Sequence, residues 1–349
     1  MELEELWEEL RLGELSAGIR ELFPSASFSL EEMLGMLLEG RFLDLVRYLF
    51  REGICGIGGN GQGLKTLLVS LLILGIVSAA LTKFSEIYEK YQVSELSFYL
   101  TYLLQAAILA GCFRSLSETA MTALEHMVIF IRLLMPTYLF AVGMATGGVT
   151  AGAGYQMTML VLYGVEEVLK ALFLPAATCL FLFAVLEGIM GQERMEYLTE
   201  LLKKVSFWGL KGMLGAVAGL SMLQAALAPA IDKVKTSMLQ RVVAAIPGIG
   251  QGAEGVFELV VGSATVLKNG VGIVLTLLLL VFCLAPLFEL FAVSFTLKLA
   301  AAIMGIVSDK RMTKVVDRTG DTGLLLLGIT GTAMLFFLLV LAMATVSVR

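Results

Sequence analysis

Long uninterrupted stretches of apolar residues are the feature that most constrains how this chain can fold. Stretches such as Leu96–Phe113 and Leu324–Val346 come close to or exceed the roughly 20 residues with which a helix crosses about 30 Å of hydrocarbon. Hydrophobic residues make up 58% of the 349 positions and charged residues only 16%. A soluble domain of this length cannot bury that much apolar surface in one core. The sequence therefore predicts an all-α, polytopic membrane protein.

Nine apolar stretches are candidate spans, and the sequence leaves open between six and nine crossings. The candidates are Thr66–Leu81, Leu96–Phe113, Met127–Met144, Tyr155–Val165, Ala171–Met190, Trp208–Ala230, Val271–Leu290, Phe291–Val307 and Leu324–Val346. Tyr155–Val165 is too short to cross alone, so it is either half of a broken helix or continuous with the next span. The adjoining pair around Pro286 is either two helices or one long kinked helix.

Residues 1–63 differ from the membrane domain that we assign to residues 64–349. The N-terminal part is acidic and has leucines at helical spacing, which predicts amphipathic helices that do not cross the membrane. No basic start followed by an apolar stretch is present, so no signal peptide is predicted. The run Gly56–Thr66 lacks the order of a phosphate-binding loop, because Leu64 separates the last glycine from Lys65. It is interpreted as a flexible linker.

A parallel internal repeat is possible between residues of about 123–230 and 239–349. Ile189-Met190-Gly191 recurs as Ile303-Met304-Gly305, and Pro175 answers Pro286. Chance similarity between Leu- and Gly-rich sequences is the alternative. The repeat makes the basic segments 191–211 and 308–322 equivalent, and both are predicted to face the cytoplasm.

Ionisable residues within apolar stretches are candidates for a pore or for helix packing. Arg132 and the cluster Glu166, Glu167 and Lys170 are the strongest, and Glu166 and Lys170 are spaced to pair on one helical face. Glu187, Lys268 and Lys298 are interpreted as interfacial residues or as pairs between helices. Arg132 is ranked above Lys298, because Pro136 follows it and would break the helix beside a polar cavity.

Proline and small residues mark where helices could break to line a pore or could pack closely. These candidates are Pro136, Gly147, Gly148, Pro247 and Pro286, and the polar residues Lys268 and Asn269 are further candidates for the same roles. His126 and the four cysteines lack metal-ligand spacing. No catalytic, cofactor or metal site and no nucleic-acid partner is predicted.

Several motifs in the membrane domain resemble the stage III sporulation protein AE family of endospore-forming bacteria. They are Ala245–Gly250, Gly262–Gly272, Cys283–Leu287, Lys298–Ala302, Asp309–Arg311, and Gly320-Asp321 ahead of Leu335–Phe337. The resemblance covers most of residues 64–349 and is densest over 240–349.

The resemblance implies a component of a secretion-like channel between mother cell and forespore, needed after engulfment. It implies a location in the mother-cell membrane around the forespore, with ring-forming proteins and a cytoplasmic ATPase as partners. A homo-oligomer is possible, and no enzymatic activity is expected. The rival hypotheses are a secondary transporter of a small solute and a scaffold that conducts nothing.

Overall fold

Six long helices make up most of the part of the chain that the structure describes. The computed structural model describes residues 61–87, 91–146, 161–190, 195–216 and 283–346, and isolated positions at 32–48, 219, 277, 280 and 281. Helices, and no strands, occupy these residues. They are α1 (Gly61–Ile87), α2 (Tyr91–Thr146), α3 (161–190), α4 (196–216), α5 (283–304) and α6 (Lys310–Val346).

Five of these helices are long and apolar enough to cross a membrane. The corresponding segments are Gly63–Leu81, Glu95–Phe130, Val161–Met190, Cys283–Met304 and Lys310–Leu338. The all-α, polytopic prediction is confirmed. Most of residues 217–276 lie outside the described part, so five is a count for the described helices alone.

The helices form three antiparallel hairpins that share one end of the bundle. In α5 and α6, Lys298 pairs with Asp317, and Leu287 lies opposite Gly331. In α2 and α3, the Tyr102 hydroxyl donates to the Val185 carbonyl at 2.6 Å, and Glu125 reaches Lys170. The third hairpin is α1 with α2, where the Thr101 hydroxyl lies 3.2 Å from that of Ser78. We call the end at which α3 gives way to α4, and α5 to α6, the basal end.

Helix α2 runs without interruption through two predicted spans. Leu96–Phe113 and Met127–Met144 both lie on Tyr91–Thr146, whose 56 residues extend about 84 Å at about 1.5 Å per residue. The prediction of a helix break at Pro136 is wrong, because the backbone stays helical to Thr146. A proline removes one helical hydrogen bond, and long membrane helices tolerate this loss where neighbouring groups compensate for it.

Helix α3 joins two other predicted spans through a π-helical turn at Leu169–Phe173. The amide of Leu174 donates to the carbonyl of Leu169, five residues earlier. Pro175 follows directly and has no amide hydrogen for the regular ladder, so one wide turn accommodates it. The continuous α5 likewise passes through Leu290 and Phe291 as one helix.

Helix α6 lies at the centre of the described bundle, where Leu325, Leu326 and Ile329 are completely buried. Two glycines allow its neighbours to approach closely. A β-carbon at Gly188 of α3 would stand 2.6 Å from Val315, and one at Gly323 would collide with the Ser294 hydroxyl. Asp309 caps the start of α6, since its carboxylate accepts the Arg311 amide at 2.8 Å.

The proposed internal repeat and the amphipathic character of the N-terminal region stay predictions. α3 ends at Met190 ahead of α4, and α5 ends at Met304 ahead of α6. In the N-terminal region, the described residues Met33 and Leu45 are buried in the core. Arg41 pairs with Asp44 at 3.0 Å on the surface.

Candidate functional site

Two groups of ion pairs, both of which include residues of α4 and α6, lie near the basal end and together join four helices. We call the two groups together the basal network. Its members are Glu187 of α3, Glu196 and Lys203 of α4, Lys298 of α5, and Lys314, Asp317, Arg318 and Asp321 of α6. Four of these side chains are acidic and four are basic, so the network is neutral as a whole.

Asp321 is the point at which α4, α5 and α6 meet. Its two carboxylate oxygens each accept a lysine ammonium group, from Lys203 at 2.8 Å and from Lys298 at 2.8 Å. Lys298 also reaches Asp317 at 2.7 Å. The alkyl chain of Lys298 passes over Gly320, where a β-carbon would stand 3.1 Å from its Cγ. A larger residue at Gly320 would therefore displace this lysine.

Glu187 is the most buried member of the network, with only 6% of its side chain exposed. The ammonium group of Lys314 lies 2.6 Å from its carboxylate and 3.1 Å from that of Glu196. Glu196 is bridged in turn to Arg318 at 3.2 Å. Breaking a buried pair strands a charge in a medium that cannot solvate it, so these contacts hold α3, α4 and α6 in register.

The network explains how the two basic segments are arranged. Residues 191–211 and 308–322 were predicted to share one side, and Lys203 and Asp321 place their described parts in direct contact. Glu187 and Lys298 pair between helices, which is one of the two interpretations that the sequence allowed.

Reasoning from sequence missed Glu196, Asp317 and Asp321 as members of the network. The sequence signal that could have identified the α6 residues is the helical spacing of Lys314, Asp317 and Asp321. Val315, Val316 and Thr319 lie between them in sequence and are buried.

A second charged cluster lies at the π-helical turn of α3, further along the bundle. Lys170 contacts Glu166 at 2.5 Å, as the spacing predicted, and Glu125 of α2 at 3.6 Å. Beside it, an open groove of about 530 Å³ separates α2 from α3. Its lining residues are Ser117, Glu118, Met121, Lys170, Leu174, Pro175, Thr178 and Cys179.

The remaining candidates from the sequence are scattered. Arg132 is exposed on α2, and its guanidinium stacks over the Tyr163 ring at 5.4 Å from the centroid. Glu167 is exposed, and Pro286 lies within α5 and is half-buried. The candidates outside the described residues are Gly147, Gly148, Pro247, Lys268 and Asn269, together with the side chain of Pro136.

These features define a polytopic α-helical membrane protein whose helices are tied together by ion pairs. Within that class, the chain belongs to the stage III sporulation protein AE family, whose sequence pattern matches residues 30–347. The chain is 24% identical over 280 residues to the stage III sporulation protein AE of Bacillus subtilis (strain 168). This alignment covers 80% of the chain and 66% of that relative, just under two thirds of its length. No solved structure matches the chain. The family confirms the resemblance and a role in sporulation.

Proposed function

We propose that this protein is the membrane platform of a secretion-like channel between mother cell and forespore, acting in forespore development after engulfment. Membership of the stage III sporulation protein AE family supports the sporulation role. The proposal includes ring-forming proteins and a cytoplasmic ATPase as partners, and no enzymatic activity.

The basal network is the observation that carries the platform role. It ties four helices together by contacts between side chains far apart in the sequence, such as Glu196 with Arg318. Outside the network, α1 and α5 present large apolar side chains such as Ile73 and Phe291. A rigid interior with a lipid-facing exterior suits a subunit on which other proteins assemble.

The basic residues at one end of the bundle indicate which way the protein is oriented across the membrane. Lys204, Lys310, Arg311 and Arg318 lie at or near the basal end, and positive residues are retained on the side where a membrane protein is made. We therefore infer that the basal end faces the mother-cell cytoplasm, with the protein in the membrane around the forespore.

The proposal is tested by replacing the gene with a tagged version in an endospore-forming host and following sporulation. We expect the protein to purify from sporulating cells, in mild detergent, together with ring-forming proteins and an ATPase. Its deletion should stop forespore development after engulfment. Purification of the protein alone, with normal spores after deletion, would contradict the proposal.

Secondary transport of a small solute is the alternative, and the groove between α2 and α3 favours it. Lys170 and Glu118 border an open space at the π-helical turn, and wide turns of this kind are frequent at functional sites. Proton-driven uptake by the purified protein in liposomes would support the transporter. Lys170→Met should then abolish uptake, with Lys211→Met, an exposed lysine of α4, as the matched control.

A further inference from the structure

The outward face of α4 mixes large apolar side chains with lysines. Its exposed apolar residues recur at helical spacing and are Tyr197, Leu201, Val205 and Trp208, which are 59–81% accessible. Lys204 and Lys211 lie on the same stripe and are also exposed. α4 is not among the five described helices that are long and apolar enough to cross a membrane. Its outward face is therefore more charged than those of the helices around it.

The outward face of α5, in contrast, is built on phenylalanines. Phe288, Phe291 and Phe295 are three and four residues apart and 48–57% accessible. Leu299 continues the stripe toward the basal end. Glu289 is half-buried beside Phe288. Such a face suits lipid or another apolar surface, and it is costly in water.

Ion pairs set the relative height of the two faces near the basal end. Asp321 of α6 accepts Lys203 of α4 and Lys298 of α5, each at 2.8 Å, so α4 and α5 lie side by side. Lys204 follows Lys203 directly, and Phe295 is less than one turn from Lys298. The exposed lysine of α4 and the exposed phenylalanine of α5 are therefore at about the same level.

Glycines of α6 set the relative height further along the bundle. A β-carbon at Gly328 would lie 3.6 Å from Leu210 of α4, and one at the glycine a turn later would lie 3.9 Å from Leu287 of α5. Lys211 and Phe288 are the next residues after these two leucines. A lysine of α4 and a phenylalanine of α5 thus share a level here as well.

No single surrounding medium suits both faces at these levels. If the levels lie in hydrocarbon, the lysines of α4 are costly. If they lie in water, the three phenylalanines of α5 form an exposed apolar patch. The conflict holds wherever the bilayer lies along the bundle. A protein surface that brings the two faces together removes it.

The two faces are also complementary in shape. Gly212 and Gly215 of α4 have nothing within 4 Å of an added β-carbon, so they leave open space on its outward face. They are three residues apart, as are Phe288 and Phe291. Small residues let a second helix approach closely. The bundle already uses such a contact, because Gly328 of α6 receives a phenylalanine and a leucine of α4.

We propose that a second copy of this chain covers these faces, in a twofold dimer in which α4 of each copy packs against α5 of the other. A twofold axis brings the same surface of both copies together. In this dimer Lys204 meets the ring of Phe295, a cation–π contact, and Lys211 meets Glu289. α1 keeps its apolar exterior for lipid.

The exposed area is sufficient for a stable dimer. At about 150–250 Å² per aromatic side chain, the five aromatic residues of the two faces alone present on the order of 600 Å². Each partner of a standard interface buries about 800 Å². The dimer adds self-association to the proposed membrane platform, and it does not depend on what the platform conducts.

Cross-linking between copies tests the pairing of α4 with α5. Full-length chains that lack the four native cysteines are co-expressed with two different tags, one chain with Trp208→Cys and the other with Phe291→Cys. Mild oxidation of the membranes should give a disulfide-linked pair that carries both tags, because a disulfide forms only between residues in contact. We expect at least about tenfold more of it than with Ile73→Cys of α1, 56% exposed, in place of Trp208→Cys.

Two further variants guard the result against a local misfit. Val205→Cys with Phe295→Cys is a second pair on the same two faces and should also cross-link. Gly212→Leu fills the open space of α4, so it should reduce the linked pair several-fold and shift the mass in mild detergent from two chains to one. Gly164→Leu on α3, which also has open space around it, is the matched control and should leave the dimer intact.

Cross-linking of both cysteine pairs at the level of the Ile73→Cys control, with the mass of a single chain, would overturn the dimer. Lipid or a different protein would then cover α4. If the dimer fails while the protein still purifies with its ring-forming partners, the proposed function stands without it. A dimer in a protein that sporulation does not require would instead remove the channel and leave the self-association.

Discussion

The basal network and the charged surface of α2 at Arg114 and Glu118 use the same kinds of residues in opposite ways. In the network, the partners come from different helices, as with Lys203 of α4 and Asp321 of α6. On α2, Arg114 and Glu118 pair four residues apart on one helix, and both are exposed. Pairs between helices fix the arrangement of the bundle, whereas exposed pairs four residues apart contribute only about 0.2–0.5 kcal/mol to a helix. The network therefore stabilises the arrangement of the helices, and the α2 pair contributes little to it.

The largest effect should come from Asp321→Leu. This change removes the only acidic partner that Lys203 has among the described residues and one of two partners of Lys298. Because the site is partly buried, we expect a loss of about 2–4 kcal/mol, somewhat below the range for a fully buried pair. The measurement is thermal unfolding in detergent together with the amount of protein in the membrane fraction.

Asp317→Leu is the matched control for Asp321→Leu. It also removes a carboxylate from Lys298, but Asp317 is more exposed and leaves Asp321 in place. A distinctly smaller loss is expected. Equal stability of the two variants would show that the network does not hold the helices together.

Gly188→Ala should be the next most damaging change. Its β-carbon would lie 2.6 Å from Val315 and 2.7 Å from the ring of Tyr102, so α3 must move away from α2 and α6. Overpacking of this kind costs about 1–3 kcal/mol. Gly164→Ala, on the same helix but with open space around it, should be neutral or slightly stabilising. Similar unfolding temperatures for the two variants would argue against the close approach at Gly188.

Lys298→Leu should lower the free energy of unfolding more than Arg132→Leu, although the sequence ranked Arg132 above Lys298 as a candidate functional residue. Lys298 makes two interhelical ion pairs, whereas Arg132 is exposed and stacks on Tyr163. We expect a loss of about 1.5–2 kcal/mol for Lys298→Leu, the low end of the range for hydrogen bonds to charged groups because Lys298 is partly exposed, and under about 1 kcal/mol for the exposed cation–π contact. Membrane-fraction immunoblots and spore yield check the order. A stronger defect in Arg132→Leu would restore the original ranking.

The fold could be predicted from the sequence as far as composition and run length determine it. Apolar stretches located the helices. The wide turn in α3 lies between the predicted spans Tyr155–Val165 and Ala171–Met190, where the sequence left open whether the two spans form one helix. The unbroken α2 could not be predicted, because Arg114, Ser117 and Glu118 look like a loop between two spans. Whether such a polar stretch stays helical depends on what lies beside it, and that is tertiary information.

The site was only partly predictable for the same reason. The Glu166–Lys170 pair is local, so its spacing was sufficient to predict it. The pairs of Asp321 and Glu196 join residues that are far apart in sequence, and no single-sequence pattern connects them. The charges in 308–322 were interpreted as a basic segment that faces the cytoplasm. Most of this segment forms the start of α6, which is capped by Asp309 and buries Met312, Val315, Val316 and Thr319.

The smallest effect on stability should come from Arg114→Leu combined with Glu118→Leu. Both side chains are exposed and pair only as neighbours on one helix, so the free energy of unfolding should change by under about 0.5 kcal/mol. The measurement is thermal unfolding in detergent, as for the other variants. The control exchanges the two residues, Arg114→Glu with Glu118→Arg, which retains the pair and should behave like the unmodified protein. A loss as large as that of Asp321→Leu would contradict the distinction between the α2 pair and the basal network, because it would show that an exposed pair within one helix stabilises the bundle as much as pairs between helices.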